Sequence, residues 1–324
     1  MNARITGTGS YVPARVMTNA HLEQMVATSD HWISERTGIR ERRIAATGEA
    51  CSDLGLQAAE QALKASGLSA GDLDLILVAT CTPDSLLPAT ACLIQHRLRA
   101  TRAAAFDISA ACCGFVYALG VANAYIKTGF RHVLVIGSEV MSAITDWTDR
   151  NTCVLFGDGA GAVVLSATEE ARGVLSTHLH SDGSLWDLIH VPGGGSRIPP
   201  SEKMLEARQQ YIKMKGNETF KVAVRTLEEV ARETLAHHHV SVEQIDLYVP
   251  HQANARILKA VAERLGLPAH KIMMNVDRYG NTSAASIPIA LDEAVRGGRI
   301  QAGSLVLLGA FGAGLTWASA LIRW

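Results

Sequence analysis

Cys112 is the side chain of this sequence best placed to act as a nucleophile. It lies in Phe106-Asp107-Ile108-Ser109-Ala110-Ala111-Cys112-Cys113-Gly114, which passes from an apolar run through tiny residues into an amphipathic pattern ending at Gly129. That order predicts a strand, a tight turn and a helix, with the cysteine at the helix start. Unpaired N–H groups and the positive end of the helix dipole stabilise a thiolate there and lower the thiol pKa. The small neighbours let a substrate carbonyl approach. Cys113 points about 100° away around the helix, so the two cannot share the role. Taken alone, the segment reads equally well as two cysteines filling space beneath a packed helix.

Two other segments supply partners. Tyr248-Val249-Pro250-His251-Gln252-Ala253-Asn254 puts a histidine just after an apolar run, at the strand edge where α/β folds gather ligand sites. Asn281 sits in Tyr279-Gly280-Asn281-Thr282-Ser283. A lone histidine is usually structural and Asn-Gly turns are common, but an internal repeat joins these residues. Leu68 to Val78 matches Val240 to Pro250 at an offset of 240 − 68 = 172, and Val133-Leu134-Val135-Ile136-Gly137 meets Leu305 to Gly309 at the same offset. Under that offset Ala284 falls on Cys112, and Asn281 on Ser109. Asn281 is therefore expected across a pseudo-twofold axis from the cysteine, while His251 replaces plain Ala79 at the equivalent strand end.

A cysteine, a histidine and an asparagine in one pocket suit two steps. The thiolate attacks an acyl thioester, its oxyanion held by backbone N–H groups of Cys112 and of the Gly312-Ala313-Gly314 turn. His251 and Asn281 then donate to a second thioester carbonyl and stabilise the enolate left when a malonyl group loses CO2. Asparagine suits this better than a carboxylate, because it donates without adding negative charge. A cysteine hydrolase is the rival, with thioester cleavage and no C–C bond formed.

The elements that must position these groups follow from the repeat. Each half reads as helix, short apolar strand, helical stretches and a second apolar strand, an α/β layering with buried strands. The halves divide at 1–172 and 173–324 and form one unit. Matching Gly159-Ala160-Gly161 to Gly312-Ala313-Gly314 gives an offset of 312 − 159 = 153, so the first half is expected to carry 172 − 153 = 19 extra residues within 140–158. That insertion holds Trp147 and Arg150. Segment 183–215, with Gly193-Gly194-Gly195 and Pro199-Pro200, reads as a lid or as a crossover between halves.

Bulk properties close off other classes. With 324 residues, 48% of them hydrophobic and 19% charged, the chain has an extensive interior. Thirty basic against thirty-one acidic residues leave a formal charge of -1, so no global field draws it to nucleic acid or to a membrane surface. The cysteines at 51, 81, 92, 112, 113 and 153 lack zinc spacing and read as reduced thiols; no metal is expected. With neither a secretory signal nor an 18-residue apolar run, a cytoplasmic protein is expected. Glycine clusters at 7–9, 157–161 and 312–314 do not form the dinucleotide-binding G-x-G-x-x-G.

In its motifs the sequence resembles the ketoacyl-acyl-carrier-protein synthase III family of the thiolase superfamily. They are Gly7-Thr8-Gly9-Ser10-Tyr11-Val12-Pro13, Thr28 to Ile33, Arg36-Thr37-Gly38-Ile39-Arg40-Glu41-Arg42, Ala110-Ala111-Cys112, Phe156 to Gly161, Pro250 to Asn254, Gly280 to Ser286 and Gly303 to Trp317. They span nearly the whole chain in the family's order. The resemblance implies a duplicated, five-layered αβαβα fold, a homodimer, and condensation of an acyl-CoA with malonyl-acyl carrier protein to give a 3-oxoacyl product, CO2 and CoA. No tightly bound cofactor is implied, acyl-CoA being a substrate. The alternative within the superfamily is an acyl-CoA-primed enzyme of a specialised polyketide or quinolone pathway.

It also implies residue roles. Cys112 is the nucleophile, His251 and Asn281 serve decarboxylation, and Cys112 and Ala313 supply oxyanion N–H groups. Trp32 and Arg150 sandwich the CoA adenine, with Thr28 and Arg36 nearby. Phe156, Met214, Gly216, Phe220, Ala253 and Asn254 line the pantetheine tunnel. Leu87, from the partner subunit, bounds the acyl pocket, and Lys221, Arg256, Lys259 and Arg264 dock the acidic carrier. Departures from the commonest pattern are Ala313 for a glycine, Cys113 for a smaller residue, and Leu87 for phenylalanine.

Overall fold

Apolar runs without alternation become strands covered on both faces: Leu75–Ala79 and Leu247–Pro250 are buried at every position. The computed structural model describes all 324 residues. The first half runs β1 (Asn2–Tyr11), β2 (Arg15–Thr18), α1 (Asn19–Glu23), α2 (Asp30–Thr37), β3 (Glu41–Ile44), α3 (Cys51–Ser66), β4 (Leu75–Ala79), α4 (Thr90–Leu98), β5 (Ala104–Ile108), α5 (Gly114–Lys127), β6 (His132–Val140), α6 (Arg150–Cys153) and β7 (Asp158–Thr168). The second runs β8 (Gly173–Ser181), β9 (Ile189–His190), α7 (Glu202–Glu206), β10 (Lys213–Met214), α8 (Gly216–His237), β11 (Leu247–Pro250), α9 (Ala255–Leu265), α10 (Val276–Tyr279), α11 (Ser286–Arg296), β12 (Leu305–Gly312) and β13 (Thr316–Arg323).

One sheet has the order β1-β7-β6-β4-β5 and the other, read in the same sense, β8-β13-β12-β11. The counterpart of β5 shrinks to a single parallel bridge, Tyr248 to Ile272. Helices α3 and α4 cover the outer face of the first sheet, and α8 with α9 covers the second. Helices α5 and α11 lie between the sheets and touch both. The result is an α/β thiolase-like fold in five layers. Its three apolar clusters fill the spaces outside each sheet and the shared middle layer.

The insertion is shorter than the glycine match implies. Strand β6 pairs with β7 through Gly137 and Gly161, and β12 pairs with β13 through Gly309 and Ser319. Ser319, not Gly314, is thus the counterpart of Gly161. The connection 141–157 is 17 residues against three in 313–315, a difference of 17 − 3 = 14. Similar letters hid different duties. A Cβ on Gly161 would lie 2.6 Å from the Ile289 backbone nitrogen, so this glycine lets α11 press on the sheet, whereas 312–314 forms a hairpin turn.

Segment 183–215 is tied down. Strands β9 and β10 pair within it, Ile212 donates to the Ile144 carbonyl of the insertion, and Arg208 forms a two-pronged ion pair with nearly buried Asp146. That pairing holds the Asp146 carboxyl well below the usual range, the Arg208 hydrogen bonds being the largest cause. Buried Arg42 reaches the carbonyls of Met17 and Val154 and the side chain of Asn19, which anchors the wall at 154–155.

Candidate active site

Strand β5 ends at Ile108, and one 3-10 turn, Ala111–Cys113, leads into α5. Ala111 has φ 45°, and Ser283, which is 283 − 172 = 111 in the second half, has φ 49°. The turn at Ser283–Ala285 leads into α11 in the same way, and the two turns touch in the middle layer. Two helix starts therefore meet at one point. Gly312 backs the cysteine: a Cβ there would stand 2.8 Å from the Cys112 nitrogen. Beside it, the Ala313 N–H finds no acceptor within the protein.

One effect opposes the expected lowering of the thiol by the helix start. Burial pushes the Cys112 thiol up to about 12, and nearby Glu139 pushes the same way, against hydrogen bonds from Ser283 and the residue's own N–H. The sulfur borders a cavity but is ringed by protein, and loss of solvent around a thiolate works against the helix start.

His251 follows β11. Its N–H donates to the Gly309 carbonyl at 2.7 Å, and its Nδ1 lies 2.6 Å from Ser286 Oγ. The Ser286 oxygen also accepts the Gln252 N–H at 3.2 Å. A serine proton donated to Nδ1 leaves Nε2–H as the ring's free donor. Burial lowers this imidazole to about 3, so it is neutral at ordinary pH. The unfolded chain takes up the proton near pH ~6.5, so folded stability is lost as pH falls from there toward 3, by up to about 1.4 kcal/mol per unit. We expect His251→Gln to flatten the pH dependence of the urea midpoint between pH 4 and 6. An unchanged slope contradicts neutral burial.

Asn281 is oriented from the opposite side. Its Oδ1 accepts the Ser283 N–H at 2.9 Å, its backbone N–H donates to Leu155, and its carbonyl accepts from Gly157. With the amide oxygen engaged, Nδ2 is left to donate.

Cys112, His251 and Asn281 line one cavity of about 400 Å³, within the range of small-ligand sites. His251, Asn281, Val154, Ile257 and Phe311 are its buried parts, while Arg36, Gly216 and Asn217 are exposed and mark the mouth. Trp32, Met214, Phe220, Ala253 and Asn254 also line it. Asn254 spends its polar ends internally, donating to Arg36 and capping α9 at Arg256. Phe156 does not line the cavity. It is buried, bridged through its backbone to Asn281, and Val154 and Leu155 form the wall instead. Among the lining residues that sequence reasoning missed are Thr37, Ile189, Asn217, Thr219 and Ile257, which no residue type or spacing signals.

At the mouth the Arg150 guanidinium lies 4.7 Å from the Trp32 ring centre and Arg36 5.8 Å away. Arg150 also donates to the Ala27 carbonyl, so a purine would have to displace it from the indole. The buried Thr28 hydroxyl beside them has no partner.

Comparison with known proteins places this geometry. Residues 106–183 match the family model described as 3-Oxoacyl-[acyl-carrier-protein (ACP)] synthase III, and residues 235–324 match its C-terminal model. A β-ketoacyl-[acyl-carrier-protein] synthase III of Thioalkalivibrio sulfidiphilus is 54% identical, covering 99% of each chain, and one of Alkalilimnicola ehrlichii is 55% identical over the same shares. The chain belongs to this family. Its fold superposes on the crystal structure of the Aquifex aeolicus synthase III with a TM-score of 0.93 at 50% identity, covering 99% of this chain and 100% of that one.

Two groups of residues lie outside the cavity lining in this synthase III family member. Leu87 is 86% exposed, as is Leu86, on the loop before α4. Neither lines the cavity of a single chain. Of the basic set, Arg256 lies over the Phe220 ring at 5.4 Å, and Lys221 and Lys259 are exposed. Arg264 differs: it sits at the far end of α9, where Glu228 binds it at 3.1 Å.

Proposed function

We infer that the protein is a β-ketoacyl-[acyl-carrier-protein] synthase III, condensing an acyl-CoA with malonyl-acyl carrier protein to start fatty acid biosynthesis. The observation that carries this is one cavity holding Cys112 beside two side chains whose acceptor ends are tied and whose donor ends are free. The Cys112 sulfur attacks the acyl-CoA carbonyl while the N–H groups of Cys112 and Ala313 hold the oxyanion, and CoA leaves. Malonyl thioester then binds with its carbonyl between His251 Nε2 and Asn281 Nδ2. Loss of CO2 leaves an enolate that the two donors stabilise, and its carbon attacks the acyl-cysteine. Neither step needs a bound cofactor.

Trp32, Arg36, Arg150 and Thr28 form the proposed nucleotide site: an indole face and guanidinium groups suit a purine bearing phosphates. Met214, Gly216, Phe220, Ala253 and Asn254 would flank the pantetheine arm. Lys221, Arg256 and Lys259 would meet the acidic carrier protein. A homodimer is proposed from the open edge of β5 and the bare Leu86–Leu87 pair, since an uncovered strand edge beside apolar side chains invites a second copy. No helix is long and apolar enough to cross a membrane, and a cytoplasmic location is proposed from the acyl-CoA and carrier-protein substrates.

The test is incubation with a panel of acyl-CoAs followed by intact-mass measurement and then malonyl-acyl carrier protein. An acyl adduct converted to 3-oxoacyl carrier is the expected result, whereas free acid alone means a hydrolase. If the partner's copy of this loop closes the acyl pocket, Leu87→Trp shortens the range of primers by narrowing it. An unaltered primer profile would remove Leu87 from that role.

A further inference from the structure

Two stretches outside the repeated strands supply opposite parts of the cavity wall. The insertion, 141–157, contributes Asn151, Val154 and Leu155, and carries Arg150 to the Trp32 ring at the mouth. The crossover, 183–215, contributes Ile189 and Met214 and leads directly into α8. Its strands β9 and β10 pair with each other and with neither main sheet. The strands that place Cys112 and His251 therefore do not set the spacing between these two stretches. That spacing depends on where the stretches meet.

They meet at Asp146. Its side chain is 5% exposed, and both carboxylate oxygens are engaged. Oδ1 accepts the Thr148 N–H at 3.0 Å, the Thr148 hydroxyl at 2.7 Å and Arg208 Nη2 at 2.5 Å. Oδ2 accepts Arg208 Nε at 2.9 Å, with the Lys213 ammonium 3.8 Å away. The planar guanidinium grips the carboxylate with two prongs, which an ammonium cannot reproduce. Arg208 is itself held in place: its φ is 53°, a conformation that side chains rarely adopt, and the Tyr211 ring lies 5.0 Å from its guanidinium.

The junction runs straight to the cavity. The Ile212 N–H donates to the Ile144 carbonyl at 2.9 Å, and α6, which bears Arg150 and Asn151, touches β10. Lys213, beside the carboxylate, precedes the lining residue Met214 on that strand. An apolar contact could join the two stretches without taking a charge out of water. A nearly buried carboxylate gripped in this way instead fixes one register between them.

We propose that Asp146 is a positioning residue for acyl-CoA binding: by gripping Arg208 and Lys213 it locks the insertion to the crossover and sets both cavity walls before the substrate arrives. A preset site spares the substrate the cost of ordering two loops. The lock therefore acts on acyl-CoA affinity, while Cys112, His251 and Asn281 are aimed by separate turns and a strand end. This inference rests on the proposed use of acyl-CoA.

The experiment follows acylation of Cys112 at increasing acyl-CoA, which gives a half-saturating concentration and a limiting rate, and records the urea midpoint of each protein. It compares wild type with Asp146→Asn, Arg208→Gln, Arg208→Lys and the double variant Asp146→Asn/Arg208→Gln. Asp146→Asn and Arg208→Gln are each expected to raise the half-saturating concentration about tenfold and to leave the limiting rate within about twofold of wild type. Arg208→Lys recovers part of the loss, since the charge stays and one prong goes. The double variant is no worse than the worse single one, because both remove the same contact. A lowered urea midpoint with an unchanged half-saturating concentration means a purely structural pair and overturns the proposal, as does a loss confined to the limiting rate. Arg208→Gln leaves Asp146 its Thr148 donors and Lys213, so it reads the lock even if Asp146→Asn folds poorly. Wild-type protein that gains no adduct on Cys112 overturns the proposed function instead.

Discussion

Cys112→Ser folds like the wild type and gains no acyl adduct by intact mass, a loss of at least about 10³-fold in acylation. The substitution changes one atom at a half-buried site, so the fold has little to respond to. The chemistry has much more, because an alkoxide at this position is far less accessible than a thiolate already pushed up to about 12. Cys113→Ser is the matched control and keeps the adduct. Its sulfur is fully buried and donates to the Thr316 carbonyl at 3.3 Å. That bond suits a hydroxyl as well as a thiol. An adduct that vanishes with Cys113 and survives loss of Cys112 would falsify the assignment.

Asn281→Ala separates the two half-reactions. Acylation of Cys112 proceeds, whereas CO2 release from malonyl thioester falls about 10²- to 10³-fold, the usual cost of removing one donor to a developing oxyanion. Asn281→Asp keeps the acceptor that holds the Ser283 N–H at 2.9 Å but replaces the free donor with negative charge. It should therefore decarboxylate no faster than the alanine variant while preserving the turn. Undiminished CO2 release from either variant removes Asn281 from the reaction.

The offset of 172 placed Asn281 opposite Cys112 because both turns are tight and admit no insertion, so sequence distance and spatial symmetry agree there. The same reasoning overcounted the insertion. Glycines in Gly159-Ala160-Gly161 serve helix contact and those in 312–314 serve a turn, and letters do not tell these apart. The helix start at Cys112 was legible, but its effect on the thiol was not: solvent exclusion depends on neighbours distant in the chain, Glu139 and Ser283 among them. Phe156 was misplaced for a related reason. One residue's shift along a wall turns a side chain from the cavity to the core, leaving Leu155 as lining. Arg264 reads as a free cation until Glu228, 36 positions away, is found beside it.

The paired left-handed residues, Ala111 and Ser283, have a cost that outlasts any single turnover. A side chain in that conformation is disfavoured by roughly 1–2 kcal/mol, and the molecule holds two of them back to back between its sheets. Glycine at either position would relax the backbone and raise the melting temperature, but it would also free the turn that aims the sulfur or the amide. Stabilising the centre of this molecule and keeping its aim are therefore opposed aims. Mutations that make the enzyme hardier are better sought in the outer helices, away from the two turns that aim the site.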